Sequence, residues 1–135
     1  MAKENGLGAT LSIDDSTGTA RAVTNDVRDV SISTPKASQD VTGLDKSAME
    51  RVQLLTDGAV DVNGIFNDGA TTGLFTVLKT IPSTAVVRAM TFAISGQTLA
   101  MEMLFNDMKL TRGAGGELTI ATHGDLADGS LPTWS

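Results

Sequence analysis

The sequence predicts a mainly β protein, an antiparallel β-sandwich or barrel with one short flanking α-helix, as a single domain over residues 1–135. Three features predict this class: short segments that alternate apolar and polar residues, turn signals between these segments, and one apolar stripe with helical spacing. A chain of 135 residues with 41% hydrophobic residues is long enough and apolar enough to bury one core.

The first strands are predicted near the N-terminus. Residues 9–14 (ATLSID) and 20–23 (ARAV) alternate and flank the turn signal DSTG, so we expect them to form a hairpin. Residues 27–34 form the next predicted strand, with Val30 and Ile32 on its inner face.

A long polar connection follows. Pro35 ends the third strand or lies at a sheet edge, and residues 36–41 can resume the strand. Residues 42–56 then show no clear periodicity, which is uncommon inside a compact domain. Ser47 and Glu50 could form the capping box of a helical turn, and an extended conformation fits equally well. We interpret this connection as a segment that docks on other copies of the chain.

The middle of the chain predicts a strand and then a helix. Residues 58–66 alternate as a half-buried strand. Apolar residues at i, i+3, i+4 and i+7 then predict a short helix that packs on the sheet. This apolar stripe consists of Leu74, Val77, Leu78 and Ile81. Thr71 or Thr72 is the predicted N-cap, and Pro82 ends the helix.

Three strands are predicted after the helix, over residues 86–94, 98–112 and 117–122. The second of them has an anomaly, because its apolar residues change from odd to even positions at Asn106-Asp107. A β-bulge inserts one residue and produces this change of phase, so we predict a bulge there.

The tail, residues 124–135, is predicted to be extended, and it carries the only tryptophan, Trp134. Aromatic side chains often anchor a chain in a partner's pocket, so we predict that Leu131 and Trp134 dock on another subunit. The alternative is a frayed terminus.

Composition and motifs argue against catalysis. The chain has no cysteine, which excludes disulfides and cysteine-based zinc sites. His123 is the only histidine, and we expect it to be an ordinary surface or strand-end residue. The formal net charge is −6 and the basic residues are scattered singly, which argues against tight binding of nucleic acid. We therefore expect no active site, no metal, no cofactor and no membrane segment.

Residues 40–67, DVTGLDKSAMERVQLLTDGAVDVNGIFN, resemble the major tail proteins, or tail tube proteins, of long-tailed, non-contractile bacteriophages. The resemblance continues through TIPST, through ISGQTLAMEMLFNDMKLTR and through LADGSLPTW at the end of the chain. It covers roughly residues 27–134 as an order of elements with local sequence similarity.

The resemblance implies a structural virion protein, made in the host cytoplasm, whose hexameric rings stack into the tube through which DNA is ejected. Its partners would be copies of itself and other tail proteins, such as the tape measure, tail terminator and distal tail proteins. Residues 35–55 would be an arm that reaches a neighbouring subunit. The predicted contact residues of this arm are Thr42, Leu44, Met49, Arg51 and Leu54.

An acidic lumen would repel phosphates, so that DNA transits without specific binding. The candidate lumen-facing acids are those opposite an apolar strand face, namely Asp29, Asp61, Glu102 and Asp107. Two alternatives remain: the inner tube of a contractile injection system, and a β-sandwich decoration or binding module. The second usually needs an exposed aromatic platform, for which one Trp, four Phe and no Tyr offer little material.

Overall fold

A computed structural model describes residues 7–127, 129 and 131–135. It confirms the predicted mainly β, antiparallel class with one short helix. The elements in the described residues are β1 (Thr10–Asp14), β2 (Ala20–Ala22), β3 (Val27–Ser33), β4 (Lys36–Asp40), β5 (Arg51–Thr56), β6 (Ala59–Ile65), α1 (Leu74–Leu78), β7 (Arg88–Ile94), β8 (Gln97–Arg112), β9 (Leu118–Leu126) and β10 (Thr133–Trp134). β9 extends past the predicted end at residue 122 and includes the start of the predicted tail.

One antiparallel sheet has the strand order β2-β1-β7-β8-β9-β6-β3, and β10 pairs with β8. The long strand β8 joins the two halves of this sheet, because it pairs with β7 up to Met103 and with β9 from Met103 onward. The predicted bulge is confirmed, since the β8–β9 register shifts between Phe105 and Asp107. Such a bulge bends the strand and increases its twist. The two halves can therefore curl around one core.

The core lies between the two halves of the curled sheet and the helix. Its buried apolar residues are Leu11, Ile13, Val23, Val60, Val62, Leu74, Val77, Leu78, Met90, Leu99, Met101, Met103, Phe105 and Ile120. A cavity of about 200 Å³ lies where the ends of the sheet approach, lined in part by Leu11 of β1, by Val30 of β3 and by Phe92. β1 and β3 do not pair there in the described residues, so the barrel stays open.

The helix stripe is confirmed, but the predicted cap is wrong. Three stripe residues of α1 are fully buried, and Ile81 packs against the core just beyond the helix. The N-cap is Gly73, and neither Thr71 nor Thr72 caps the helix. Instead, the Leu74 N–H donates to Asp26 Oδ2 at 3.1 Å, so the helix start is held by the β2–β3 connection.

Arg88 is one of the basic residues that are scattered singly along the sequence. It is buried at the start of β7. Its guanidinium donates to the Asp14 carbonyl at 3.0 Å, the Val77 carbonyl at 2.9 Å and Thr80 Oγ1 at 2.8 Å. Burial lowers the pKa of Arg88, and the nearby carboxylates of Asp15 and Asp14 oppose that shift. This side chain therefore fastens the C-terminal end of the helix to the sheet.

Gly64 of β6 leaves room for Leu74 of the helix and for the Asp26 backbone to approach the sheet closely. A Cβ at this position would overlap Leu74 Cδ2 and would lie 2.5 Å from the Asp26 carbonyl oxygen. We therefore expect Gly64→Ala to lower the free energy of unfolding by about 1–3 kcal/mol, as overpacking does. Urea denaturation measures this change. The matched control is Gly43→Ala in an exposed loop, which should change stability by less than about 0.5 kcal/mol; equal effects would contradict the account.

Candidate assembly surfaces

β3 and β6 pair as an antiparallel hairpin, and residues 36–56 form a second hairpin inserted between them. We call residues 36–56 the arm. Its strands β4 and β5 pair with each other in a separate two-stranded sheet. The Asp57 N–H donates to the Pro35 carbonyl at 2.9 Å and closes the base of the arm. The helical turn considered for Ser47–Glu50 does not form: Ser47 and Ala48 lie in a bend, Met49 and Glu50 have no regular structure, and the extended conformation begins at Arg51 with β5.

The arm is exposed, although it carries several apolar residues. Leu44 at its tip is fully exposed, Met49 in the same loop is 55% exposed, and Leu54 on β5 is 46% exposed. A two-stranded ribbon is at best marginally stable in water, and unburied apolar side chains mark interaction surfaces. The arm therefore has the properties of a segment that becomes buried on a partner.

Side-chain hydrogen bonds give the arm loop a defined shape. Thr42 Oγ1 accepts from the Glu50 N–H at 2.8 Å, and Asp40 Oδ1 accepts from the Thr42 N–H at 2.9 Å. The hydrogen bonds from Thr42 lower the pKa of Asp40. Arg51 lies opposite Asp40 in the β4–β5 register. Of the five residues predicted to contact a neighbour, Thr42 thus shapes the arm, whereas Leu44, Met49, Arg51 and Leu54 are exposed.

A second surface is the side of β3, β6, β9 and the second half of β8 that faces away from the core. Cross-strand partners share a face, and the register places Asp107, His123, Asp61 and Ser31 in one row. The next row along holds Lys109, Ala121, Asn63 and Asp29. We call the ionisable residues of this surface the acidic face; they are Asp29, Asp61, Asp107, Lys109, His123 and Asp125.

Three of the four candidate lumen residues, Asp29, Asp61 and Asp107, therefore lie together on the acidic face. Glu102 does not join them. It precedes the bulge in β8, is half-buried and pairs with Ala89 of β7 in the other half of the sheet.

His123 links the strands of the acidic face. Its Nδ1 lies 2.7 Å from Asp61 Oδ1 on β6, and its Nε2 lies 3.1 Å from Asp125 Oδ1 on β9. Asn106, the extra residue of the bulge, donates from Nδ2 to Asp125 Oδ2 at 2.8 Å. The hydrogen bond to Asp61 raises the pKa of His123; partial burial opposes the shift, and Asp125 adds to it. The sequence does not reveal this arrangement, because Asp61 lies 62 residues away from His123 in the chain.

The tail lies along its own subunit. Thr133 and Trp134 pair with Ala100 and Leu99 of β8, and the Trp134 ring meets Phe92 edge-on, with 6.4 Å between ring centroids. The Trp134 side chain is nevertheless 52% exposed, and Leu131 is 67% exposed. Docking of these two residues on another copy stays a prediction.

Two free strand edges border the strands of the acidic face. Among the described residues, β3 pairs only with β6, and the part of β8 from Leu104 to Arg112 pairs only with β9. Free edges present unpaired N–H and C=O groups and invite pairing with another chain.

The described part of the chain contains neither a candidate metal site nor a helix that could span a membrane. No His, Cys, Asp or Glu residues within residues 7–127, 129 and 131–135 form a group of three that could hold a metal ion. No helix in the same residues is long and apolar enough to cross a membrane.

No family model and no curated protein matches the chain. Solved structures do match it. A chain from the tail of an empty gene transfer agent particle, refined with C6 helical symmetry, has a TM-score of 0.77 at 18% identity, over 98% of both chains. A chain from the virion of a native gene transfer agent particle has a TM-score of 0.77 at 16% identity, over 98% of this chain and 99% of the other.

A chain from the six-fold symmetrised baseplate of the anti-feeding prophage has a TM-score of 0.66 at 6% identity. That match covers 100% of this chain and 97% of the other. The protein therefore has the fold of chains found in tail and baseplate assemblies.

Proposed function

We propose that this protein is a structural tail tube protein whose copies close into hexameric rings, and that the rings stack into a conduit for DNA. The observation that carries the proposal is the four-stranded half of the sheet. It has a buried side, an acidic side and a free edge at each border. The role is structural rather than enzymatic, and it places the protein in the virion tail.

Ring closure follows from the two different free edges. The edge of β3 in one copy pairs with the edge of β8, from Leu104 to Arg112, in the next. Contacts between different patches form a ring when the rotation closes. The C6 and six-fold symmetries of two of the similar assemblies support six copies per ring.

The arm connects copies as well. Because the arm leaves the sheet between β3 and β6, it starts beside the proposed ring junction. Its exposed apolar residues, including Leu44, Met49 and Leu54, are then buried on a neighbouring subunit or ring. Removal of this apolar surface from water favours the contact by about 25 cal/mol for each Å² buried, and the entropy lost on association offsets part of this gain.

With β3 and β8 joined between copies, the acidic face lines the lumen. Two unit charges about 10 Å apart in water interact by only about 0.4 kcal/mol, and salt weakens this further. Repetition of the acidic face around each ring and along the tube makes the total repulsion of DNA phosphates significant. DNA then slides without specific binding. Tape measure, terminator and distal tail proteins would bind at the inside and the ends of the tube.

The inner tube of a contractile injection system is the second candidate. The similarity to the anti-feeding prophage baseplate chain supports it. Both candidates assign the same assembly to this chain and differ in whether a sheath surrounds the tube.

Negative-stain electron microscopy of the purified protein tests the proposal. We expect rings or hollow tubes whose number grows with protein concentration. A monodisperse monomer at all concentrations and salt conditions would contradict the proposal, and glycan binding by such a monomer would favour a binding module.

The only tryptophan reports whether the tail docks on another copy. Trp134 is half-exposed in the single subunit, so burial by a neighbour should shift its fluorescence emission to shorter wavelengths as tubes form. Acrylamide quenching should weaken in parallel. Unchanged emission and quenching in assembled tubes would show that the tail stays on its own subunit only.

A further inference from the structure

Both ring nitrogens of His123 face a carboxylate oxygen. Asp61 Oδ1 lies 2.7 Å from Nδ1, and Asp125 Oδ1 lies 3.1 Å from Nε2. A neutral imidazole carries one N–H and one lone pair, whereas an imidazolium donates from both nitrogens. An ionised carboxylate only accepts hydrogen bonds. The protonated ring is therefore the form that satisfies both contacts.

The two carboxylates come from different strands, and the contacts extend across the sheet. Asp61 belongs to β6, whereas Asp125 and His123 belong to β9. Asn106 of the β8 bulge holds the second oxygen of Asp125 at 2.8 Å. The ring thus connects β9 to β6, and the Asn106–Asp125 hydrogen bond extends this network to β8 at the point where β8 bends.

We propose that His123 is a pH-sensitive latch of the acidic face. Its imidazolium ties β6 to β9, and loss of the proton breaks one of the two hydrogen bonds and leaves the face one charge more negative per subunit. All contacts of the latch lie within one subunit. Its consequence for a DNA conduit rests on the proposed function: a deprotonated latch makes each ring more repulsive to phosphates.

The charged groups around the ring favour the protonated form. Asp61 and Asp125 contact it directly, and Asp107 lies opposite His123 in the β8–β9 register. Lys109 on β8 carries the opposite charge and lies opposite Ala121, one row further along the face. Asp29 on β3 lies two strands away in that same row.

The direction of the pH dependence follows from the raised pKa of His123. A group whose pKa is higher in the folded than in the unfolded state adds stability that is complete below its unfolded pKa. That stability is lost as the pH rises through the folded value. The latch is thus closed in mildly acidic solution and opens on the alkaline side of the ordinary histidine pKa of about 6.5.

Proton NMR of the unassembled 135-residue chain tests the latch directly, because a single histidine gives one set of ring signals. We expect a titration midpoint above about 6.5. Asp61→Asn should lower it most, and Asp125→Asn should lower it less. Asp107→Asn is the matched control: it removes a neighbouring charge without removing a direct contact, so it should have the smallest effect.

A second readout is the pH dependence of the free energy of unfolding, which His123→Gln should flatten on the alkaline side of the ordinary histidine pKa of about 6.5. A wild-type midpoint at or below the ordinary value would overturn the latch. An equal shift of the His123 titration midpoint in all three Asn variants would also overturn the latch. It would indicate that the overall negative charge, and not two specific contacts, raises the pKa. These measurements are made on unassembled protein. The latch proposal can therefore fail while the proposed assembly is supported, and the proposed assembly can fail while the latch is supported.

Discussion

Replacing Arg88 with alanine is expected to lower the free energy of unfolding by about 3 kcal/mol or more. The side chain is 1% exposed and donates to two carbonyls and one hydroxyl. Its removal leaves the buried Val77 carbonyl without this donor, at a cost of about 1–3 kcal/mol, weakens the surroundings of the partly buried Asp14 carbonyl and Thr80 hydroxyl, and also leaves a cavity. Urea denaturation followed by circular dichroism measures the loss.

Two further variants separate charge from hydrogen bonding. Arg88→Lys keeps the charge but presents a single ammonium, which cannot reproduce a planar guanidinium with two donating nitrogens, so recovery should be partial. Arg112→Ala, at the exposed end of β8, is the matched control and should cost less than about 0.5 kcal/mol. A loss below about 1 kcal/mol for Arg88→Ala would show that the helix is held to the sheet by other contacts.

Replacing the arm is expected to abolish assembly while leaving the fold intact. The Pro35 carbonyl and Asp57 N–H are already hydrogen-bonded, at 2.9 Å. Asn-Gly in place of residues 36–56 would turn this bond into that of a two-residue β-turn. The core lies outside the arm, so the free energy of unfolding should change by no more than about 1 kcal/mol. Sedimentation velocity and electron microscopy should show monomers and no tubes.

Point variants locate the effect on the arm. Leu54→Ser removes an exposed apolar side chain of β5 and should raise the concentration at which tubes appear. Gln53→Ser, the preceding residue on the opposite face of β5, is the matched control and should have a smaller effect. Tubes formed by the chain without its arm would show that the arm is dispensable.

The sequence predicts most of the sheet because a strand with one buried face requires apolar and polar residues to alternate. β3, β6 and β7 follow that pattern, and the change of phase at Asn106-Asp107 identifies the bulge. The helix stripe is found for the same reason, since one side of α1 is buried. Where one face of a strand or helix packs on the core, the spacing of its apolar residues therefore predicts the element.

The features that the sequence does not predict depend on hydrogen-bond partners that are distant in the chain. The helix start is held by Asp26, which is 48 residues before Leu74, and Arg88 contacts the Asp14 carbonyl 74 residues away. No local pattern encodes such pairs. The sequence does not decide the conformation of the arm, because neither face of the β4–β5 ribbon is buried in its own subunit and no alternation of apolar and polar residues is required there.

Helical reconstruction of the assembled tubes by cryo-electron microscopy tests most directly whether copies complete one another's sheets. We predict backbone hydrogen bonds between β3 of one copy and residues 104–112 of the next, with Asp61 and Asp107 facing the axis. Rings in which both of these edges stay unpaired, or in which the acidic face points outward, would contradict the account.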